Sequence, residues 1–133
     1  MGAWGIGIFE DDTGCDTRDD IADAKDLVAE LDQRLRSVSG DPGAYLDYEN
    51  CFDALVPAAI VDAYLNGTSY DGLDKLRERH PKANLEPLKP LAAAAIDRVL
   101  GPKAEIHQLW AENEGDYPAW KSSLESLRAR LAS

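Results

Sequence analysis

The chain has 133 residues, of which 44% are apolar and 29% charged, so it is long enough to close one core and too apolar to remain disordered. Its net charge of −11 is unevenly divided: residues 1–74 carry 17 acids against 4 bases, and residues 75–133 carry 8 acids against 10 bases. A field of that sign repels nucleic acid and anionic lipid and steers cationic partners toward the leading half.

No stretch approaches the 18 to 20 consecutive apolar residues of a membrane span, and no basic region followed by an apolar run opens the chain. A cytoplasmic protein is the expectation. In that reducing setting Cys15 and Cys51 are read as two buried thiols that pack, without a disulfide. No repeat, linker or composition break divides the chain, so residues 1–133 are read as one helical domain.

The opening, "MGAWGIGIFEDD", sets glycines against carboxylates. Gly5-Ile6-Gly7 lacks the third glycine and the Gly-Lys-Ser/Thr of a phosphate loop, and Glu10, Asp11 and Asp12 stand where a phosphate would go. The alternation of Trp4, Ile6 and Ile8 with small residues fits an extended anchoring segment that buries one row of side chains.

From Asp12 or Thr17 to about Ser37, Ile21, Ala24, Leu27, Val28, Leu31 and Leu35 recur at helical spacing, which predicts one amphipathic helix. The run Ser39-Gly40-Asp41-Pro42-Gly43 breaks it. Tyr45, Leu46 and Tyr48 fit a short strand or coil. A second helix is predicted from about Asn50 to Leu65, where Pro57 demands either a kink or a start nearer Ala54, and Asn66-Gly67 ends it. A short charged helix follows within Ser69–His80, held by Leu73 and Leu76. Pro90 starts a fourth through Leu100, Pro102 a fifth to about Glu112, and Asp116-Tyr117-Pro118 the last, with Trp120, Leu124, Leu127 and Leu131 on one face. The fold class is therefore all-α: a compact bundle of five or six helices, sealed by the Trp4 segment.

The opening, the middle "CFDALVPAAIVDAYLNG" and the end "EIHQLWAENEGDYPAWKSSLESLRARL" together resemble the bacterial domain of unknown function 4259 family. Its members open with Met-Gly-Thr/Ala-Trp-Gly-x-Gly-x-Phe and an acidic pair, carry an Ala-Ala-x-x-Val-Ala helix, and finish with Leu-Trp and an amphipathic tail. This chain has Pro57 directly before Ala58-Ala59, and Asp62 ahead of Ala63. The resemblance covers nearly the whole chain and implies a small, mainly helical protein. It supplies no activity and no catalytic residues.

Asp16, Asp19, Asp20, Asp23, Asp26 and Glu30, wound on one helix at about 100° per residue, fall on an arc beside its apolar stripe, a flank either merely solvated or able to grip a basic partner. Asp11, Asp12 and Asp16 offer a weaker alternative as ligands of a divalent cation, although no Asp-x-Asp-x-Asp-Gly loop is present. His80 reads as a helix-end residue and His107 as one sheltered beside Trp110; neither has a second ligand at zinc spacing. Five tyrosines suit either an interface or the rim of a small core.

The functional expectation is a non-enzymatic acidic protein-binding module without a cofactor. In its most concrete form it is an immunity protein that neutralises a basic, nuclease-type bacterial toxin. A divalent-metal enzyme and a DNA-mimic regulator are the alternatives.

Overall fold

A computed structural model describes residues 3–41 and 43–133; Met1 and Gly2 of the opening motif and Pro42 of the predicted break lie outside the described residues. Among the described residues seven α-helices follow one another: α1 (Asp12–Ala22), α2 (Leu27–Ser39), α3 (Tyr48–Asn66), α4 (Asp74–Arg79), α5 (Lys89–Val99), α6 (Glu105–Ala111) and α7 (Tyr117–Ala132). A 3-10 turn over Glu86–Leu88 leads into α5. Among the described residues there is no strand, only two isolated bridges, Ala3 with Asp11 and Leu46 with Ala104.

The all-α class holds, with one helix more than the expected maximum. The extra one arises because the helix predicted from residue 12 to 37 is two. Asp23 closes α1, and Asp26 turns to extended backbone and caps α2 by accepting the Ala29 N–H at 3.1 Å. An aspartate is worth more at a helix N-terminus, where it meets unpaired N–H groups and the positive dipole end, than inside a continuous helix. The local cap overrides the shared periodicity of the flanking segments.

The centre of the molecule is α3, buried without interruption from Ala54 to Ala63. A helix apolar on every side must be surrounded, and α1, α2, α5, α6 and α7 all pack against it. The helix does not start late at Ala54: Asp47 caps it by accepting the Asn50 N–H at 2.9 Å, and α3 runs through Pro57 to Gly67, whose φ of 72° supplies the left-handed C-cap. Pro57 removes the bond that the Asp53 carbonyl would have accepted, and burial of its ring among the surrounding helices offsets the loss. On α5, the small Ala92, Ala93 and Ala95 are buried, and that helix packs against α2, α3 and α7.

The opening segment is not an extended anchor, and Trp4 does not seal the core. Trp4 is 61% exposed, while Phe9 is buried and Ile6 and Ile8 pack half-buried against the core. Residues 3 to 11 form a closed loop: the Trp4 N–H donates to the Glu10 carbonyl at 2.9 Å and the Glu10 N–H to the Gly7 carbonyl at 3.0 Å. The reversal at Gly7 breaks the alternation of side chains on which the anchor reading depended.

The loop lies directly on α1. A Cβ at Gly14 would stand 2.0 Å from the Ile8 carbonyl oxygen and 3.2 Å from the Phe52 ring, so only glycine lets the loop, α1 and α3 meet there. Gly14→Ala is expected to lower stability by about 1–3 kcal/mol, since backbone must move to relieve the overlap. A urea titration of both proteins, read by tryptophan fluorescence, checks this; an unchanged midpoint contradicts it. Gly40→Ala, where the added Cβ meets nothing closer than 3.6 Å, is the control expected to change little.

Candidate functional site

Of the six acids placed on the predicted arc, three make no ion pair among the described residues: Asp16, Asp20 and Asp26. Asp16 and Asp20 are exposed. Asp19 pairs with Arg18 at 3.1 Å, Asp23 with Arg79 at 2.8 Å and Lys75 at 3.8 Å, and Glu30 with Arg34 at 3.0 Å. Asp26 is occupied by its cap. The six therefore do not share one helix face: Asp16, Asp19 and Asp20 belong to α1, Asp23 and Asp26 to the turn, and Glu30 to α2.

A narrower acidic face survives on α1. Asp12, Asp16, Asp19 and Asp20 are exposed, and at about 100° per residue they fall within an arc of about 100°. The buried Gly14 and Ile21 lie on the opposite side, so these acids point away from the core and not along its edge. Few cations of the trailing half reach them. Arg77 donates to the Ala63 carbonyl near the end of α3, and Arg98 to the Val38 carbonyl at the end of α2. Lys103 donates to the Gly43 carbonyl. Carbonyls at the ends of α3 and α2 hold Arg77 and Arg98, and a loop carbonyl holds Lys103.

Asp11 is not available to a metal in the way the alternative reading required. It is 3% exposed, caps α1 through the Thr13 N–H at 2.7 Å, and accepts the Tyr48 hydroxyl. Among the described residues no group of three or more His, Cys, Asp or Glu side chains is arranged to hold a metal ion.

The cysteines and histidines form no nucleophilic arrangement. Cys51 is fully buried and burial pushes its thiol up to about 11, so it carries little thiolate at neutral pH. Cys15 is half-buried, not buried as expected, and its thiol donates to the Phe9 carbonyl at 3.3 Å. His80 closes α4, as its position before Pro81 predicts. The His107 ring packs against the rings of Tyr117 and Trp120. Its Nδ1 faces the Gly101 carbonyl at 3.1 Å, an acceptor only; in the neutral ring Nδ1 therefore donates, and Nε2 accepts the Tyr117 hydroxyl at 2.6 Å. Of the five tyrosines only Tyr45 is exposed, which favours the core-rim reading for the other four.

The strongest polar constellation was not singled out as a site from sequence. Asp62 of α3 is completely buried. Arg130 of α7 donates its Nε to both carboxylate oxygens at 3.1 Å, Tyr70 donates its hydroxyl at 2.7 Å, and Asn66 its amide at 2.8 Å. Burial raises the Asp62 pKa, but the hydrogen bonds from Arg130, Asn66, Tyr70 and Thr68 outweigh it and hold the carboxyl below its ordinary value. Burial and the adjacent carboxylate push the Tyr70 hydroxyl well above its ordinary range, so it remains a donor. The available signal was the one charged residue within the otherwise apolar run of residues 54–65, with Asn66 four positions on.

Tyr70 and Arg130 also line a surface groove of about 280 Å³. One wall is the loop Gly7–Glu10, another is the segment Thr68–Asp71, and α7 supplies the third through Ser123, Leu124, Leu127 and Arg130.

Asp62→Ala is expected to cost about 3 kcal/mol, because it strands Arg130 and Tyr70 without their acceptor. The depressed folded-state pKa also fixes a pH dependence. The unfolded chain takes up the Asp62 proton at a higher pH than the folded one, so acidification favours unfolding. This contribution is complete above the unfolded value near 4 and is lost as pH falls through the lower folded-state value. Urea midpoints measured from pH 7 down to pH 2 should fall less steeply for Asp62→Asn than for the parent; parallel curves would contradict this assignment.

A model of the family described as "Domain of unknown function (DUF4259)" matches residues 2–123. No curated protein and no solved structure matches the chain. With the match spanning almost its entire length, the chain belongs to the DUF4259 family of domains of unknown function.

Proposed function

We propose that this chain is a non-enzymatic binding protein whose acidic α1 face receives a basic protein partner. The observation that carries the reading is the group Asp12, Asp16 and Asp20, exposed and making no ion pair among the described residues. Like charges gathered on one helix face repel each other, and a cationic partner relieves that repulsion while gaining fast, steered association. In its most concrete form the partner is a basic, nuclease-type toxin domain, and the chain is the immunity protein that neutralises it in the cytoplasm. Consistent with that location, no helix among the described residues is long and apolar enough to cross a membrane.

A purified basic toxin domain encoded beside this chain's reading frame provides the test. Stopped-flow association should slow steeply as salt is raised, and reversal of Asp12, Asp16 and Asp20 to lysine should slow it by about 10- to 100-fold at low salt. Reversal at Asp23 should matter less, because Asp23 already has Arg79 and Lys75. A rate indifferent to salt and to the triple reversal would overturn the proposal.

A further inference from the structure

The groove between the opening loop, the Thr68–Asp71 segment and α7 has a charge pattern of its own, distinct from the α1 acids. Three charged residues line it: Glu10, Asp71 and Arg130. Arg130 is already matched by Asp62 at 3.0 Å, and no Lys, Arg or His among the described residues pairs with the carboxylate of Glu10 or of Asp71. Arg18, which touches two of the lining residues, places its guanidinium on the Asp71 backbone carbonyl at 3.2 Å, on Asp19, and over the Phe9 ring at 5.5 Å. The uncompensated charge at the groove is negative.

Glu10 is also held in place. Its Oε1 accepts the Gly7 N–H at 3.3 Å, and its carboxylate lies against the bare faces of Gly5 and Gly7, where an added Cβ would come within 2.2 Å and 2.8 Å of it. A methyl group at either position would push that carboxylate aside. The glycines of the opening thus hold a carboxylate of the chain itself where a phosphate loop would hold its ligand. Beside it the groove is apolar, lined by Phe9, Tyr70, Leu124 and Leu127. Its volume of about 280 Å³ is close to the lower limit of small-molecule sites.

We propose that this groove binds a primary ammonium carried on an alkyl stem, the stem lying along Phe9, Tyr70, Leu124 and Leu127 and the ammonium meeting the Glu10 carboxylate. A free alkylamine and a lysine side chain share this chemistry. An anionic ligand would find Arg130 already neutralised and two acidic residues, Glu10 and Asp71, in the lining. A purely apolar ligand would leave Glu10 half-buried with no cation beside it.

The test is titration of the whole chain with n-pentylammonium and, separately, with Nα-acetyl-lysine N-methylamide, followed by NMR. Saturable shifts of the Phe9, Tyr70, Leu124 and Leu127 signals are expected, with a Kd of about 1–10 mM. Glu10→Gln should weaken binding at least fivefold. Ser123→Phe, which fills the groove from the exposed face of α7, should abolish it; Glu125→Gln, an equal change of charge on α7 outside the groove, should leave it unchanged. Equal affinity for the two probes would assign the site to free amines, and tighter binding of the lysine derivative would assign it to a peptide side chain. Absence of saturable shifts up to about 50 mM of either probe, or full binding by a folded Glu10→Gln protein, would overturn the proposal.

Discussion

A carboxylate buried in the central helix constrains much of the arrangement around it. Asp62 lies in α3, the one helix surrounded by all the longer ones, and a charge removed from water there must be matched in full. Arg130 answers it from the end of α7, Tyr70 from the loop after α3, and Asn66 from one turn further along the same helix. These bonds fix where the chain's C-terminal helix and the Thr68–Asp71 segment lie. Two walls of the groove follow from that placement, so a polar solution inside the core determines the shape of a surface feature.

The third wall follows from a contact of the opposite kind. Where the Ile8 carbonyl presses on Gly14, the absence of a side chain holds the opening loop against α1. The same loop exposes Trp4, caps α1 with Asp11 and sets Glu10 over its glycines. The glycines and carboxylates that stand together in the opening thus have a single physical explanation: the carboxylates satisfy backbone N–H groups that an outside anion would otherwise take. The space a ligand-binding glycine loop would offer is filled by the chain's own acids.

Charge is distributed by a similar competition. Several cations of the trailing half serve backbone carbonyls or the buried Asp62, and among the described residues only Lys75 and Arg79 reach a surface acid of the leading half. Among the described residues Asp12, Asp16 and Asp20 are exposed and make no ion pair, while Asp19 and Glu30 pair with the leading half's own Arg18 and Arg34, and Asp23 with Lys75 and Arg79. The charge asymmetry visible along the chain therefore persists in three dimensions, but on a narrower face than the six-acid arc.

The all-α class, the C-cap at Gly67, the helix starts near Pro90 and Pro118, and the inward row of Trp120, Leu124, Leu127 and Leu131 were legible in the sequence, because periodicity, proline and glycine act over a few residues. The break between α1 and α2 was not: periodicity continues across it, and the choice rested on whether Asp26 would cap. Nor was the exposure of Trp4, since an alternating pattern carries no information on where a glycine loop reverses. The groove and the Asp62 network lay further from reach, joining residues 68 positions apart. Local sequence determined which segments are helical and where most of them end. Only the tertiary structure decided which acids have partners and which face outward, because an ion pair depends on distances in space that separation along the chain does not encode.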